Sequence, residues 1–419
     1  MKVNPLPIFI VAVSIFASCS SSNTITSYED YLVTSSPSSN SSQNKIAFIS
    51  SLSNFNSTEK INAIFFIYIA GDNNLSNFIN SDIKEVKNAS KKNPKIAYFL
   101  FIDDKSNESK VKLILNGTSY LIKAFEEIDS GNYKTLESMA EFVKIYSLNN
   151  LRVSESLWNN IPFYLVIWNH GDAWTYYPKT KLRAIADDET SKSKININEL
   201  VRALRYINNN IHKINLLGFD ACLMGNIETL YSIFVNNITN YIVASEFYEP
   251  AHGWNYDISF ENISNPYLTG KNIVNAYAYY YEKVAPGSYS LALYEKNNTL
   301  SYINYIDKIA LKLINNKPNS FDIVKDHALN YKVDDYYSYL IDSYLLFNNT
   351  AKDLGFSFNY TNFPTYFKTN LKNIKGATIG FPTYNFDLEQ FDYYTNPIIN
   401  PFASTNYGIF IKDYIDYIK

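Results

Sequence analysis

Residues Lys213 to Phe234 read KINLLGFDACLMGNIETLYSIF, and the two halves of this stretch follow different periods. Ile214 to Phe219 is a short, continuous apolar run, the pattern of a strand buried on both faces. Ile227, Leu230, Tyr231 and Phe234 instead recur at helical spacing and share one helix face. Cys222 therefore falls just past the carboxyl end of a buried strand, with a helix amino terminus shortly after it. Ligands of open α/β sheets bind at that edge, and a helix amino terminus nearby favours thiolate over thiol.

The arrangement repeats upstream in FYLVIWNHGDAW, Phe163 to Trp174, where an apolar strand ends and releases His170 into a glycine-containing turn. Two adjacent parallel strands would bring this imidazole to the sulfur of Cys222. His170 then serves as general base, and afterwards protonates a leaving amine. Gly171 lets the backbone approach a substrate closely, so the amides of Gly171 and Cys222 are natural donors to a tetrahedral oxyanion.

Further out, Ile61 to Ala70 reads as another doubly buried strand, followed by a turn at Gly71, Asp72, Asn73 and Asn74. Leu75, Phe78, Ile79, Ile83 and Val86 predict a helix, and Pro94 sits in the connection to the apolar run Ile96 to Ile102. Similar runs occur at Tyr241 to Ala244, Ser290 to Tyr294 and Ala377 to Phe381. A further helix is marked by Ile197, Leu200, Val201, Leu204, Ile207 and Ile211. This alternation predicts an α/β fold with a mostly parallel central sheet and helices on both faces. Residues 59–320 form the expected core, and 321–419, rich in aromatic and apolar residues, complete the same fold.

Composition limits the partners. A formal net charge of -3 over 419 residues gives no field that gathers nucleic acid, and 46% hydrophobic residues describe a globular chain. The chain shows no internal repeat, glycine-rich phosphate loop or paired-cysteine metal pattern.

The amino-terminal segment carries Lys2, an apolar run from Ile8 to Ala17, and then Ser18 and Cys19. Ten apolar residues are too few to span a bilayer. Residues 1–18 read as a bacterial lipoprotein signal, with Cys19 as the acylated new terminus and 19–58, rich in Ser and Asn, as a flexible tether. The expected location is the cell envelope, anchored to the membrane by lipid and outside the cytoplasm. The sequence has 2 cysteines, so Cys222 becomes the one remaining thiol, and no intrachain disulfide accounts for it.

In order along the chain come AGDNNL (Ala70 to Leu75), FIDD (Phe101 to Asp104), IWNHGDAW (Ile167 to Trp174), GFDACLMGNIET (Gly218 to Thr229), ASEFYEPAHGWNY (Ala244 to Tyr256) and GATIGFP (Gly376 to Pro382). In this series the sequence resembles the clostripain family of cysteine peptidases, relatives of caspases and gingipains. The resemblance implies a caspase-like α/β sandwich, with His170 and Cys222 as the catalytic dyad. It implies cleavage after basic residues, Arg above all and possibly Lys, with Asp220 pairing with the substrate cation. Glu246 and Glu249 are the candidates for a second acid in that pocket, and Ala251 and His252 depart from the pattern beside them. It also implies self-cleavage between the histidine and the cysteine, for which the Arg183–Ala184 bond is the candidate.

Some relatives need calcium, for which Asp187, Asp188 and Glu189 are the candidate ligands; the proteolytic chemistry itself requires no cofactor. Protein or peptide substrates are the expected partners. The rival reading is a catalytically silent lipoprotein that binds peptides or host proteins through the same cleft.

Overall fold

A computed structural model describes residues 61–418, except 107, 175, 178–180, 183–184, 318, 357–359, 361, 384–390, 392–393 and 398–399. The signal segment, Cys19, the whole tether, and Arg183 with Ala184 lie outside the described residues.

Nine strands form the central sheet: β1 (Ala63–Gly71), β2 (Ile96–Asp104), β3 (Glu108–Leu115), β4 (Thr118–Glu126), β5 (Phe163–Trp168), β6 (Ile214–Asp220), β7 (Tyr241–Ala244), β8 (Ser290–Glu295) and β9 (Tyr366–Thr369). Their order is β9-β8-β7-β6-β5-β1-β2-β3-β4. The five inner strands, from β7 to β2, pair in parallel. Antiparallel additions finish both edges, so only β3 and β8 run against the rest. The mostly parallel sheet read from the sequence is therefore present; of the antiparallel strands at its edges only β8 was marked by an apolar run, Ser290 to Tyr294. Ala377 to Phe381 departs from that reading: Thr378–Gly380 pairs antiparallel with Leu340–Asp342, outside the central sheet.

The apolar continuity of the inner strands follows from their two covered faces. In β1, Ile64, Phe66, Tyr68 and Ala70 enter one core, while Ala63, Phe65, Ile67 and Ile69 enter the other. Helices α1 (Ile79–Lys92) and α5 (Pro266–Tyr279) cover the second core. The first is covered by α2 (Tyr133–Asn149), α3 (Ile197–Tyr206), α4 (Ile227–Val235), α6 (Lys296–Asn315), α7 (Asn319–Asn330), α8 (Ser343–Asp353) and α9 (Asn406–Ile418). Side-chain caps fix several helix starts: Asn196 and Glu199 form a capping box on α3, and the Asn226 side chain accepts from Thr229 N–H at the head of α4. Among the described residues no helix is long and apolar enough to cross a membrane.

Candidate active site

Strands β5 and β6 lie side by side in parallel, and Trp168 opposite Asp220 is the last pair of their register. His170 and Cys222 thus leave the sheet at the same edge, two residues beyond matched strand ends. Asn169 N–H donates to the Asp220 carbonyl at 3.2 Å. A Cβ at Gly171 would stand 2.0 Å from the Cys222 carbonyl oxygen, so only glycine lets the two loops come this close.

The histidine loop is held by amide side chains. Asn169 Oδ1 accepts from Asp187 N–H at 2.9 Å, and its Nδ2 donates to the Asp187 carbonyl at 3.1 Å and to the Ala70 carbonyl. Asn73 Nδ2 donates to the Asp187 carbonyl at 2.9 Å. His170 Nε2 meets the Asn74 side-chain oxygen at 2.7 Å. With an acceptor there, Nε2 carries the hydrogen and Nδ1 keeps the lone pair a general base needs.

Cys222 is partly exposed, and its Sγ accepts from Glu249 N–H at 3.2 Å. Burial pushes its thiol above the ordinary cysteine range; the Glu249 N–H opposes that shift, and the charges of Asp172 and Asp220 add to it. Burial likewise lowers His170, against the charges of Asp187 and Asp172. Both effects favour a neutral thiol and a neutral imidazole at rest, not the thiolate expected from a nearby helix amino terminus. Burial outweighs the helix, which also begins some way off. Helix α4 starts only at Ile227, past a turn where buried Leu223 takes φ 60, a strained value for a branched residue.

Beside the sulfur is a group of buried acids. Asp220 is 4% exposed; its Oδ1 accepts from Trp254 N–H at 3.0 Å and its Oδ2 from the Tyr256 hydroxyl at 2.6 Å. Gly253, at φ +55, leaves the room: a Cβ there would lie 2.4 Å from Asp220 Oδ1. Glu249 as a residue is half-buried, yet both its carboxylate oxygens are buried and take no donor. Burial, with the Asp220 charge next, raises Glu249 well above the carboxylate range, and burial raises Asp220 to about 6.

Helix α1 adds two acids. Glu85 accepts from Asn255 Nδ2 at 2.9 Å and from Tyr256 N–H at 3.0 Å. Asp82 is 2% exposed, and burial first, then the charges of Asp220 and Glu85, push it up to about 9.

The family model "Clostripain family" matches residues 67–367. The chain belongs to the clostripain family. Clostripain of Hathewaya histolytica is 24% identical over 235 residues, which is 51% of this chain and 44% of that protein, so the match spans less than half of the relative. An inactive zymogen C11 protease from Parabacteroides distasonis superposes with a TM-score of 0.60 at 14% identity, over 84% of this chain and 98% of that one. A secreted C11 cysteine protease from Bacteroides thetaiotaomicron, in complex with an irreversible peptide inhibitor, gives 0.58 at 17% identity, over 82% and 98%. At these identities the likeness is one of fold.

The residues that the clostripain family motifs single out fall in separate places. Cys222, Gly171, Asp220 and Glu249 converge, and His170 leaves from the neighbouring strand end. Glu246 does not join them: it is fully buried, accepts from Gly376 N–H at 2.8 Å, and has Asp342 and Lys375 as its charged neighbours. Its place is the support of the GATIGFP turn, not a pocket wall beside Asp220. The three calcium candidates also part. Asp187 pairs with Lys194 at 2.8 Å and exposed Glu189 with Lys105 at 2.7 Å, while Asp188 turns inward to Ser130 and Ser191 N–H groups. Asp82, Glu85 and Asn74 were not anticipated. The signal for Asp82 was available: it lies between Ile79 and Ile83 on the apolar face of α1.

Proposed function

We propose that this chain is a cysteine endopeptidase that cleaves after basic residues. The observation that carries the reading is a partly exposed thiol, next to a histidine-bearing strand end and against a buried pair of carboxyl groups. Clostripain-family membership supports the reaction class.

In the proposed cycle, His170 Nδ1 takes the proton from Cys222 Sγ as sulfur attacks the carbonyl carbon. The N–H groups of Gly171 and Cys222 receive the oxyanion. Collapse breaks the C–N bond, and His170 returns its proton to the amine. Water, deprotonated by His170, then frees the acyl group.

A basic side chain is the natural occupant of the Asp220–Glu249 pocket. Its cation would neutralise the pair and form charge-assisted hydrogen bonds. It would also offset the carboxylate charge that raises the thiol, so a bound cation eases formation of the thiolate. Substrate binding and nucleophile activation are thereby linked.

Self-cleavage at Arg183–Ala184 and acylation at Cys19 belong to the same proposal, with proteins or peptides outside the cytoplasm as substrates. The test is to express residues 20–419 and offer fluorogenic peptides ending in Arg, Lys, Asp or Leu, beside the Cys222→Ala form. Turnover only after Arg or Lys, absent in Cys222→Ala, supports the reading. Peptide binding without turnover of any substrate favours the silent binding protein.

A further inference from the structure

The segment that follows β7 passes the proposed nucleophile in extended form. Gly225 N–H donates to the Ser245 carbonyl at 2.7 Å, Leu223 N–H to the Phe247 carbonyl at 3.1 Å, and Glu249 N–H to Cys222 Sγ at 3.2 Å. Alternate residues thus pair with the cysteine loop, and successive side chains of such a segment leave on opposite sides. Glu249 turns to Asp220 and to the second core, where Trp254, Tyr277 and Tyr281 are its neighbours. Tyr248 turns the other way, against the first core. Glu246, two positions earlier, leaves on the same side as Tyr248, toward Asp342.

Two more tyrosines meet Tyr248 there. Its ring centroid lies 6.1 Å from that of Tyr337, and the Tyr336 ring stands edge-on to Tyr337 at 5.0 Å. The Cys222 thiol and the Tyr336 hydroxyl both act electrostatically on Tyr248, so this residue joins the sulfur to an aromatic shelf.

The shelf is firmly built. Val333 N–H donates to the Leu340 carbonyl at 2.9 Å and Asp342 N–H to the Tyr331 carbonyl at 3.0 Å, which closes the loop carrying Tyr336 and Tyr337. Inside that loop Asp334 Oδ1 accepts from Tyr336 N–H at 2.6 Å and from Tyr337 N–H at 3.3 Å. The Tyr248 hydroxyl is bonded to Asp334, and the Tyr337 hydroxyl donates to Asp172 Oδ1 at 2.9 Å. With these two hydroxyls engaged, the rings offer mainly carbon to whatever lies beside them. Tyr336 is nevertheless 74% exposed, more than any other large hydrophobic side chain among the described residues.

We propose that Tyr248, Tyr336 and Tyr337 form a second substrate subsite, which takes an apolar side chain from the residue just before the scissile basic one. The proposal rests on the peptidase reading and adds a class of substrate to it. An extended peptide alternates its side chains as the segment beside it does. When its basic residue is directed to Asp220 and Glu249, the adjacent residue is directed to the opposite side, where Tyr248 stands. The neighbour on the amino side is the one that fits, because the leaving amine on the other side must stay within reach of His170. The candidate self-cleavage bond has this pattern, with Leu182 before Arg183.

The test measures kcat/KM for fluorogenic peptides ending in Leu-Arg, Phe-Arg, Ala-Arg, Lys-Arg or Asp-Arg, and in parallel the Kd of the matching peptides on Cys222→Ala protein of residues 20–419. Leu-Arg and Phe-Arg should exceed Ala-Arg by about tenfold, the scale set by burying a side chain of that size, and should exceed Lys-Arg and Asp-Arg by more. Tyr336→Ala and Tyr248→Ala should each bring the Leu-Arg to Ala-Arg ratio close to one, while the requirement for Arg at the scissile position stays as in the parent. Tyr336 is exposed, so its removal does not endanger the fold and decides the matter if Tyr248→Ala fails to fold. Equal rates for Leu-Arg and Ala-Arg, with Arg still required, overturn the subsite and leave the peptidase reading standing. Lys-Arg as the best substrate overturns it too, since the shelf would then hold a cation against Asp334. If no peptide turns over, the Kd ratios decide; absence of binding by every Arg peptide overturns the subsite together with the reading beneath it.

Discussion

Two groups of carboxylates flank the carboxyl edge of the sheet, and they differ in what surrounds them. Around Asp220 the neighbours are aromatic: the Tyr256 hydroxyl and Trp254 N–H satisfy its oxygens, and Tyr281 donates to the Gly253 carbonyl of the same loop at 2.8 Å. Around Asp188 the donors are backbone N–H groups and serine hydroxyls. The first set is walled by rings, which suits a cation at the end of a long apolar stem. The second is compact and hydrophilic. Acid count alone does not say what a cluster of carboxylates can hold; the neighbours do.

Asp220→Asn is the strongest way to break this contrast. It should cost about a hundredfold in kcat/KM on Arg-ending peptides, the scale of a lost hydrogen bond between charged groups. Glu249→Gln should act on the same parameter more weakly, about tenfold, through the paired carboxyl. If either variant slowed cleavage after Asp or Leu as much as after Arg, the acids beside Cys222 would not be selecting the basic side chain.

A pH series sharpens the assignment. Asp220 is raised to about 6 and must be ionised to hold a cation, so KM for basic peptides should rise as pH falls through about 6. His170 is lowered by burial, so the acid limb of kcat should lie below the ordinary histidine value of about 6.5. A shared midpoint above 7 for both parameters would contradict this division.

The smallest effect concerns Asp82. Its folded-state pKa is raised to about 9, so the folded chain holds a proton there that the unfolded chain releases near 4. The stability tied to that proton is present at acid pH and is lost as pH rises toward 9. Asp82→Asn should therefore gain on the parent with rising pH, by roughly 3 °C in Tm at pH 9. Equal melting differences at pH 5 and pH 9 would show that Asp82 does not hold the proton.

The strand ends that carry His170 and Cys222 were legible in the sequence because a strand buried on both faces is an unbroken apolar run with a visible stop. Asp220 and Glu249 were legible through the family motifs. The acids supplied by α1 were hidden by distance: Asp82 and Glu85 reach the pocket only after the chain folds, and Glu85 does so through Tyr256, 171 positions later. Glu246 misled for the converse reason. It sits three residues from Glu249, yet the loop turns it to the opposite partner, Gly376. The acids around Asp188 were half legible, since FIDD and the 187–189 acids were visible, while which of them lack a lysine is a property of side-chain packing.

The central claim is that Cys222 is the nucleophile served by a pocket for basic side chains. It is tested most directly by labelling the intact chain with two chloromethyl ketone peptides, one ending in Arg and one in Asp, and locating the adduct by mass spectrometry. The account predicts a single adduct on Cys222 from the Arg probe, slowed at least tenfold in Asp220→Asn, and little from the Asp probe. Equal labelling by both probes, or an adduct elsewhere than Cys222, would contradict it.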